Sequence, residues 1–198
     1  VFVYEKKLQY PVKIKNVNPR LASIIITQYG GPDGELGASL RYLSQRYSMP
    51  YPELKGLLTD IGTEELGHLE MVGTIVHQLT RSMNEKDIKE NGYEPYFVDH
   101  TAGVYPTAAS GTPWSADGMQ VTGDVIADLT EDLAAEQKAR VTYDNILRLT
   151  DDPDVSDVIR FLRAREIVHF QRFGEGLRIA RDKMGEKNVY YMNPAFDI

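Results

Sequence analysis

The chain has no cysteine. This excludes a disulfide framework, thiolate ligands and a thiol nucleophile, so any metal must be held by carboxylate, imidazole or other oxygen donors. Histidine is scarce too, at four in 198 residues, which makes the place of each one informative. No stretch approaches the ~18 apolar residues of a membrane span. The opening Val1-Phe2-Val3-Tyr4-Glu5-Lys6-Lys7 also lacks the cationic start, apolar run and small-residue cleavage site of an export signal. The expectation is an intracellular, cytoplasmic protein with no membrane association. Basic charge is in deficit, with 22 Lys and Arg against 29 Asp and Glu. Nucleic-acid binders concentrate a basic face, so no nucleic-acid partner is expected.

What is present is helical. A hydrophobic content of 42% in a chain of this length builds one core, and we expect a single domain over 1–198. Three- and four-residue apolar steps predict helices over about 18–48, about 52–83, about 123–150 and about 153–184. Within the first, Gly30-Gly31-Pro32 interrupts the pattern, and a bend is expected there. Pro153 suits the first turn of the fourth helix. Residues 84–122 carry no sustained period and are rich in Gly, Pro, Ser, Thr and Tyr, the composition of a long connection. Two hairpins with short turns, joined by one long crossover between the second and third helices, form the ferritin-like four-helix bundle. The expected fold class is therefore all-α, ferritin-like.

The apolar stripes contain residues that do not belong in an apolar core. Glu65 and His68 fall between Ile61 and Val72, and Glu166 and His169 fall between Leu162 and Phe173. Spacing of i,i+3 puts each pair on one helix face, which here points inward. A buried ionised carboxylate costs several kcal/mol, of order ~3–5, unless it is paired or bound to a metal. Glu35 and Glu136 lie on the inward faces of the other two helices. Glu35 to Glu65 is 30 residues, and so is Glu136 to Glu166, so the arrangement of Glu followed by Glu-x-x-His occurs twice. One Glu-x-x-His motif is weak; two in register, each with a partner Glu, form the carboxylate pattern of di-iron and di-manganese bundles. Carboxylate and imidazole donors favour manganese or iron over soft metals.

With these motifs the sequence resembles the manganese catalases, and among them the spore-coat manganese-catalase-like proteins. The similar segments are Tyr4-Glu5-Lys6-Lys7-Leu8-Gln9-Tyr10-Pro11, Gly34-Glu35-Leu36 with Arg41-Tyr42-Leu43, Asp60 through Met71, Ala134 through Arg140, and Arg165-Glu166-Ile167-Val168-His169. The resemblance implies a cofactor of two manganese ions, iron being the alternative. It implies that Glu35 and His68 bind one ion, Glu136 and His169 bind the other, and Glu65 bridges them. Glu166 matches a carboxylate that stays off the metal and moves protons, and Tyr42 matches a tyrosine beside the cluster. Hydrogen peroxide is the implied substrate, a homo-oligomer (a hexamer in the family) the implied assembly, and the spore coat, with other coat proteins as partners, the implied location. Some longer relatives place an arginine just before the ligand matching Glu136, where this chain has Ala135.

Three functions share this side-chain set: a dimanganese catalase, a ferritin-like di-iron storage protein or ferroxidase, and a structural coat protein with a vestigial site. Glu64, Glu70, Glu131 and Glu175 read as surface charges. Asp60 and Asp132 read as solvated positions on helix faces, the alternative being that they orient the motif histidines. His77 and His100 lack the paired spacing and receive no role.

Overall fold

The computed structural model describes residues 3–185. Asn18 accepts a hydrogen bond from the Leu21 amide and Pro19 fills the first position of α1 (Pro19–Ile25), a capped start. A short α2 (Thr27–Gly30) follows, then α3 (Glu35–Gln45). The bend expected at Gly30-Gly31-Pro32 is thus a break. A Cβ at Gly30 would lie 2.2 Å from the Pro106 carbonyl carbon, because the backbone of the long connection passes directly against it, and only glycine leaves that room. The break places Glu35 in the first turn of α3, where free amide N–H groups and the helix dipole favour a carboxylate.

α4 (Pro52–Thr80) starts on Pro52 and ends where Arg81 turns extended and Ser82 takes a φ of 60°. The connection that follows holds α5 (Glu85–Glu90), α6 (Glu94–His100) and one 3-10 turn at Ala116–Gly118. Asp124 caps α7 (Val125–Leu149), accepting from the Ile126 and Ala127 amides. Asp152 caps α8 (Pro153–Met184), which closes on Gly185 at φ 69°, the left-handed residue that commonly stops a helix. Among the described residues there is no β-strand, only an isolated bridge between Thr107 and Pro113.

α3 pairs with α4 and α7 pairs with α8 across short turns, while α4 packs on α8 between the two pairs. The molecule is an all-α, ferritin-like four-helix bundle. A close approach at Gly62 brings α3 onto α4: the Leu43 side chain sits 2.9 Å from where a Cβ would be, and Ser39 donates to the Gly62 carbonyl at 2.7 Å.

The core falls into two apolar clusters. One contains Met71, Val72, Ile75, Ile146, Ile159 and Leu162; the other contains Leu54, Leu58, Ile61, Leu129 and Phe173. Each fully buried aliphatic or aromatic side chain contributes about 1.5–3 kcal/mol, so the two plugs hold the helices in register. Between them, at the level of residues 65–68 on α4 and 166–169 on α8, the interior is polar. Among the described residues no helix is long and apolar enough to cross a membrane.

Candidate metal centre

Glu35 from α3, Glu65 and His68 from α4, Glu136 from α7, and Glu166 and His169 from α8 all lie in this polar layer, at 0–2% exposure. Glu65 is central. Its Oε2 is 2.6 Å from His68 Nδ1 and its Oε1 is 2.8 Å from His169 Nδ1. His68 Nδ1 also lies 3.7 Å from Glu35 Oε2 and 4.0 Å from Glu166 Oε1, and His169 Nδ1 lies 3.6 Å from Glu136 Oε2. The two imidazoles stack with ring centroids 5.5 Å apart. Glu65, His68, Glu166 and His169 each present one donor atom within 4.8 Å of the others, with Glu35 and Glu136 on either flank.

The flanking carboxylates are held by tyrosines from across the bundle. Tyr42 on α3 donates to Glu136 Oε1 on α7 at 2.6 Å, and Tyr143 on α7 donates to Glu35 Oε1 on α3. The arrangement is a pseudo-twofold: every member of one half recurs 101 residues later, Glu35 as Glu136, Tyr42 as Tyr143, Glu65 as Glu166, His68 as His169. Outside the histidines sits Glu64, at 3.0 Å from His169 Nε2 and 3.6 Å from His68 Nε2, and paired with Arg165 at 2.8 and 3.2 Å.

The protonation pattern reports an excess of negative charge. Burial, reinforced by the Glu65 carboxylate, raises Glu35 to about 7. Burial, with Glu35, Glu136 and Glu65 around it, lifts Glu166 well above the carboxylate range, and burial likewise raises Glu136. Burial alone would lower the imidazoles, but the Glu65 charge together with hydrogen bonding to the surrounding carboxylates outweighs it, so His68 is raised well above its usual value and His169 to about 11. Glu65 is the exception among the carboxylates: burial pushes it up, but the two imidazoles facing it bring it well below the usual range. Protons therefore stand where cations are wanted. The four carboxylates, ionised, balance two divalent cations.

A metal fits these residues on a further count. Glu65 Oε1, Glu136 Oε2, Glu166 Oε1 and His169 Nδ1 are buried and have no hydrogen-bond partner, although each faces the others. Orphaned buried polar atoms are costly and rare, and donors that converge without satisfying one another are what a cation resolves. The set is oxygen and imidazole nitrogen, suited to manganese or iron.

The structure brings all six residues singled out from the sequence into one layer. It also corrects two readings and adds one residue. Glu64 is not a free surface charge; it lies against both histidines. Tyr143, which the sequence shows only as part of an apolar stripe, holds Glu35; its signal was its place seven residues after Glu136, as Tyr42 stands seven after Glu35. Asp132 is not a solvated position on a helix face but fully buried beside Gln45 and Arg41, and burial pushes its carboxyl well up against the pull of both. Asp60, by contrast, is exposed and paired with Arg172 at 2.6 Å.

The family model for manganese containing catalase matches residues 1–193. The chain is 50% identical over 190 residues to protein CotJC of Bacillus subtilis, covering 96% of this chain and all of that one. It is 29% identical over 200 residues to the manganese catalase of Lactiplantibacillus plantarum, covering 93% and 74%. The crystal structure of wild-type KatB, a manganese catalase from Anabaena, superposes with a TM-score of 0.86 at 32% identity, covering 98% of this chain and 85% of that one. Its motifs, its fold and the extent of these matches place the chain in the manganese-containing catalase family.

Proposed function

We propose that the chain is a dimanganese catalase that disproportionates hydrogen peroxide to water and dioxygen. The observation that carries this reading is the convergence of two Glu-x-x-His motifs and two flanking glutamates on one buried layer, with donor atoms left unsatisfied. Glu35 and His68 would hold one ion, Glu136 and His169 the other, and Glu65, with one oxygen toward each half, would lie between them. Two bound manganese ions supply the two-electron redox chemistry that each half of the disproportionation requires.

The chain's own residues supply the rest. One peroxide gives up two protons and two electrons as dioxygen; a second takes up the same number and becomes two waters. Glu166 is the group for the protons: its Oε1 is buried and without a hydrogen-bond partner, and burial holds its carboxyl well above the usual carboxylate range, which suits a group that takes up and returns a proton. Tyr42 and Tyr143 fix the orientation of Glu136 and Glu35. The two apolar clusters on either side leave the layer at 0–2% exposure, out of contact with bulk solvent.

Metal analysis of protein produced with manganese, together with oxygen evolution on added peroxide, tests the reading. Two manganese ions per chain with oxygen release support it; a metal-loaded protein that releases none points to a structural coat protein with a vestigial site. A second reading, a di-iron storage protein or ferroxidase, is favoured by one observation: Glu166 lies within the group of four candidate ligands. Leu66, Ile167 and Phe170, exposed on the outer faces of α4 and α8 at 44%, 37% and 36%, support a homo-oligomer. The resemblance to the coat branch of the family supports a coat location.

A further inference from the structure

The two halves of the centre match at Glu35 and Glu136, Tyr42 and Tyr143, Glu65 and Glu166, and His68 and His169, and differ at a pair just outside it. The residue before each Glu-x-x-His motif is Glu64 in the first and Arg165 in the second, 101 residues apart like the rest. Arg165 grips both oxygens of Glu64, Nε to Oε1 at 2.8 Å and a terminal nitrogen to Oε2 at 3.2 Å, the fork geometry that fixes a carboxylate's plane. Gln9 adds a third donor at 2.6 Å.

Both imidazoles turn Nδ1 toward the centre and Nε2 toward this carboxylate. A neutral imidazole that gives its Nδ1 lone pair to a metal carries its proton on Nε2, and a buried N–H needs an acceptor. His169 Nε2 has Glu64 Oε2 at 3.0 Å. His68 Nε2 is buried with no hydrogen-bond partner, and Glu64 Oε1 stands 3.6 Å away, about half an ångström beyond bonding range. Carboxylates at both of these positions would repel each other, and guanidinium groups at both would offer the imidazoles no acceptor. One of each gives a single acceptor, held in place, for two histidines.

We infer that Glu64 is a positioning residue shared by the two halves of the centre, its one carboxylate orienting both histidines so that the two ions are taken up together. This rests on the two-metal reading above and adds a link between the ions that Glu65 does not supply. Loss of a hydrogen-bond partner behind a metal-bound histidine costs about 10–100-fold in metal affinity, and here the loss falls on both sites at once. The glutamine variant has a distinct signature: an amide has one acceptor oxygen and can serve one imidazole, so one ion stays tight while the other weakens.

Manganese titration of metal-stripped protein, and release of bound manganese to a chelator, test this. For Glu64→Ala we expect both ions weakened about 10–100-fold. Glu64→Gln should give a two-step titration, a split that loss of packing would not produce. Arg165→Met, which frees Glu64 without touching a histidine, should weaken both ions to a smaller extent, and it decides the matter if the alanine variant fails to fold. Unchanged binding in Glu64→Ala, a loss confined to one ion there, or unchanged release in a folded Arg165→Met protein overturns the inference while the two-metal reading stands. Wild-type protein that takes up no manganese overturns both.

Discussion

The two hairpins reach the same inner geometry by different routes. α7 runs unbroken through Glu136 and Tyr143 and is capped by Asp124, whereas the first arm is broken just ahead of Glu35, and α3 begins on that residue without a side-chain cap. The apolar packing of the halves differs as well. Yet Glu35 and Glu136, the two tyrosines and the two motifs superpose in role. The halves agree only where they touch the centre, so the site, and not the helices, imposes the twofold. Each tyrosine crosses to the other hairpin, and the two hairpins are tied together by their polar groups as well as by their apolar faces.

The largest effect should come from the residue that belongs to both halves. Glu65→Ala removes the carboxylate that faces both imidazoles and leaves two cations with less compensation between them. We expect loss of most bound metal and of peroxide turnover, read by metal analysis and oxygen evolution. A variant with its full metal content would show that Glu65 is not shared. Next in size is its counterpart Glu166, where the halves should differ in chemistry despite their equivalent positions. Glu166→Gln is nearly isosteric and should retain both ions while turnover falls by about 10²–10⁴-fold, the usual contribution of a general acid-base group. Metal lost together with activity would make Glu166 a ligand and favour the di-iron reading.

Smaller and more diagnostic is the tyrosine pair. Tyr42→Phe and Tyr143→Phe each remove a hydrogen bond to a buried carboxylate on the opposite hairpin, at about 1–3 kcal/mol for the acceptor left unsatisfied. By the twofold, the two variants should lose similar stability in thermal melts. Tyr42→Phe should weaken metal on the Glu136 side, and Tyr143→Phe on the Glu35 side. Clearly unequal losses would mean that the break before α3 makes the first half the weaker one.

Periodicity and loop length show the bundle in the sequence because each helix buries one continuous stripe. The inner residues of the centre show because a carboxylate and an imidazole i,i+3 apart inside such a stripe have no other cheap explanation. What lay hidden depends on contacts between helices. Tyr143 fits an apolar stripe as well as leucine would, and only the Glu35 carboxylate, 108 positions away, gives its hydroxyl a purpose. Glu64 is one place off the inward face and reads as solvated until α8 brings Arg165 and His169 against it. Asp132 reads as solvated for the same reason, since its burial is set by α3, which carries Arg41 and Gln45. The need for glycine at position 30 is likewise set by the Pro106 backbone, a residue with no pattern of its own.

The last comparison is between the centre with and without its ions, and its effect is spread over several pH units. Without metal, Glu35 in the folded chain holds its proton up to about 7, against an ordinary value of 4.5, so stability is lost as pH rises from 4.5 to 7. His169 is raised from 6.5 to about 11; its stabilisation is complete below 6.5 and drains away toward 11. Glu65 is depressed below 4.5, so its contribution is already complete above that value and adds no slope. Glu136, Glu166 and His68 are raised as well, so all the active slopes have the same sign, each at most about 1.4 kcal/mol per pH unit. Metal-stripped protein should melt at steadily lower temperature between about pH 5 and about pH 9. Manganese requires the same ligands deprotonated, so its binding strengthens with pH and with it the stabilisation of the folded state. Melts with saturating manganese should therefore show the slope flattened or reversed. A stripped protein that gains stability with rising pH would contradict the charge excess read from the centre, and equal slopes with and without manganese would mean that the ion binds elsewhere.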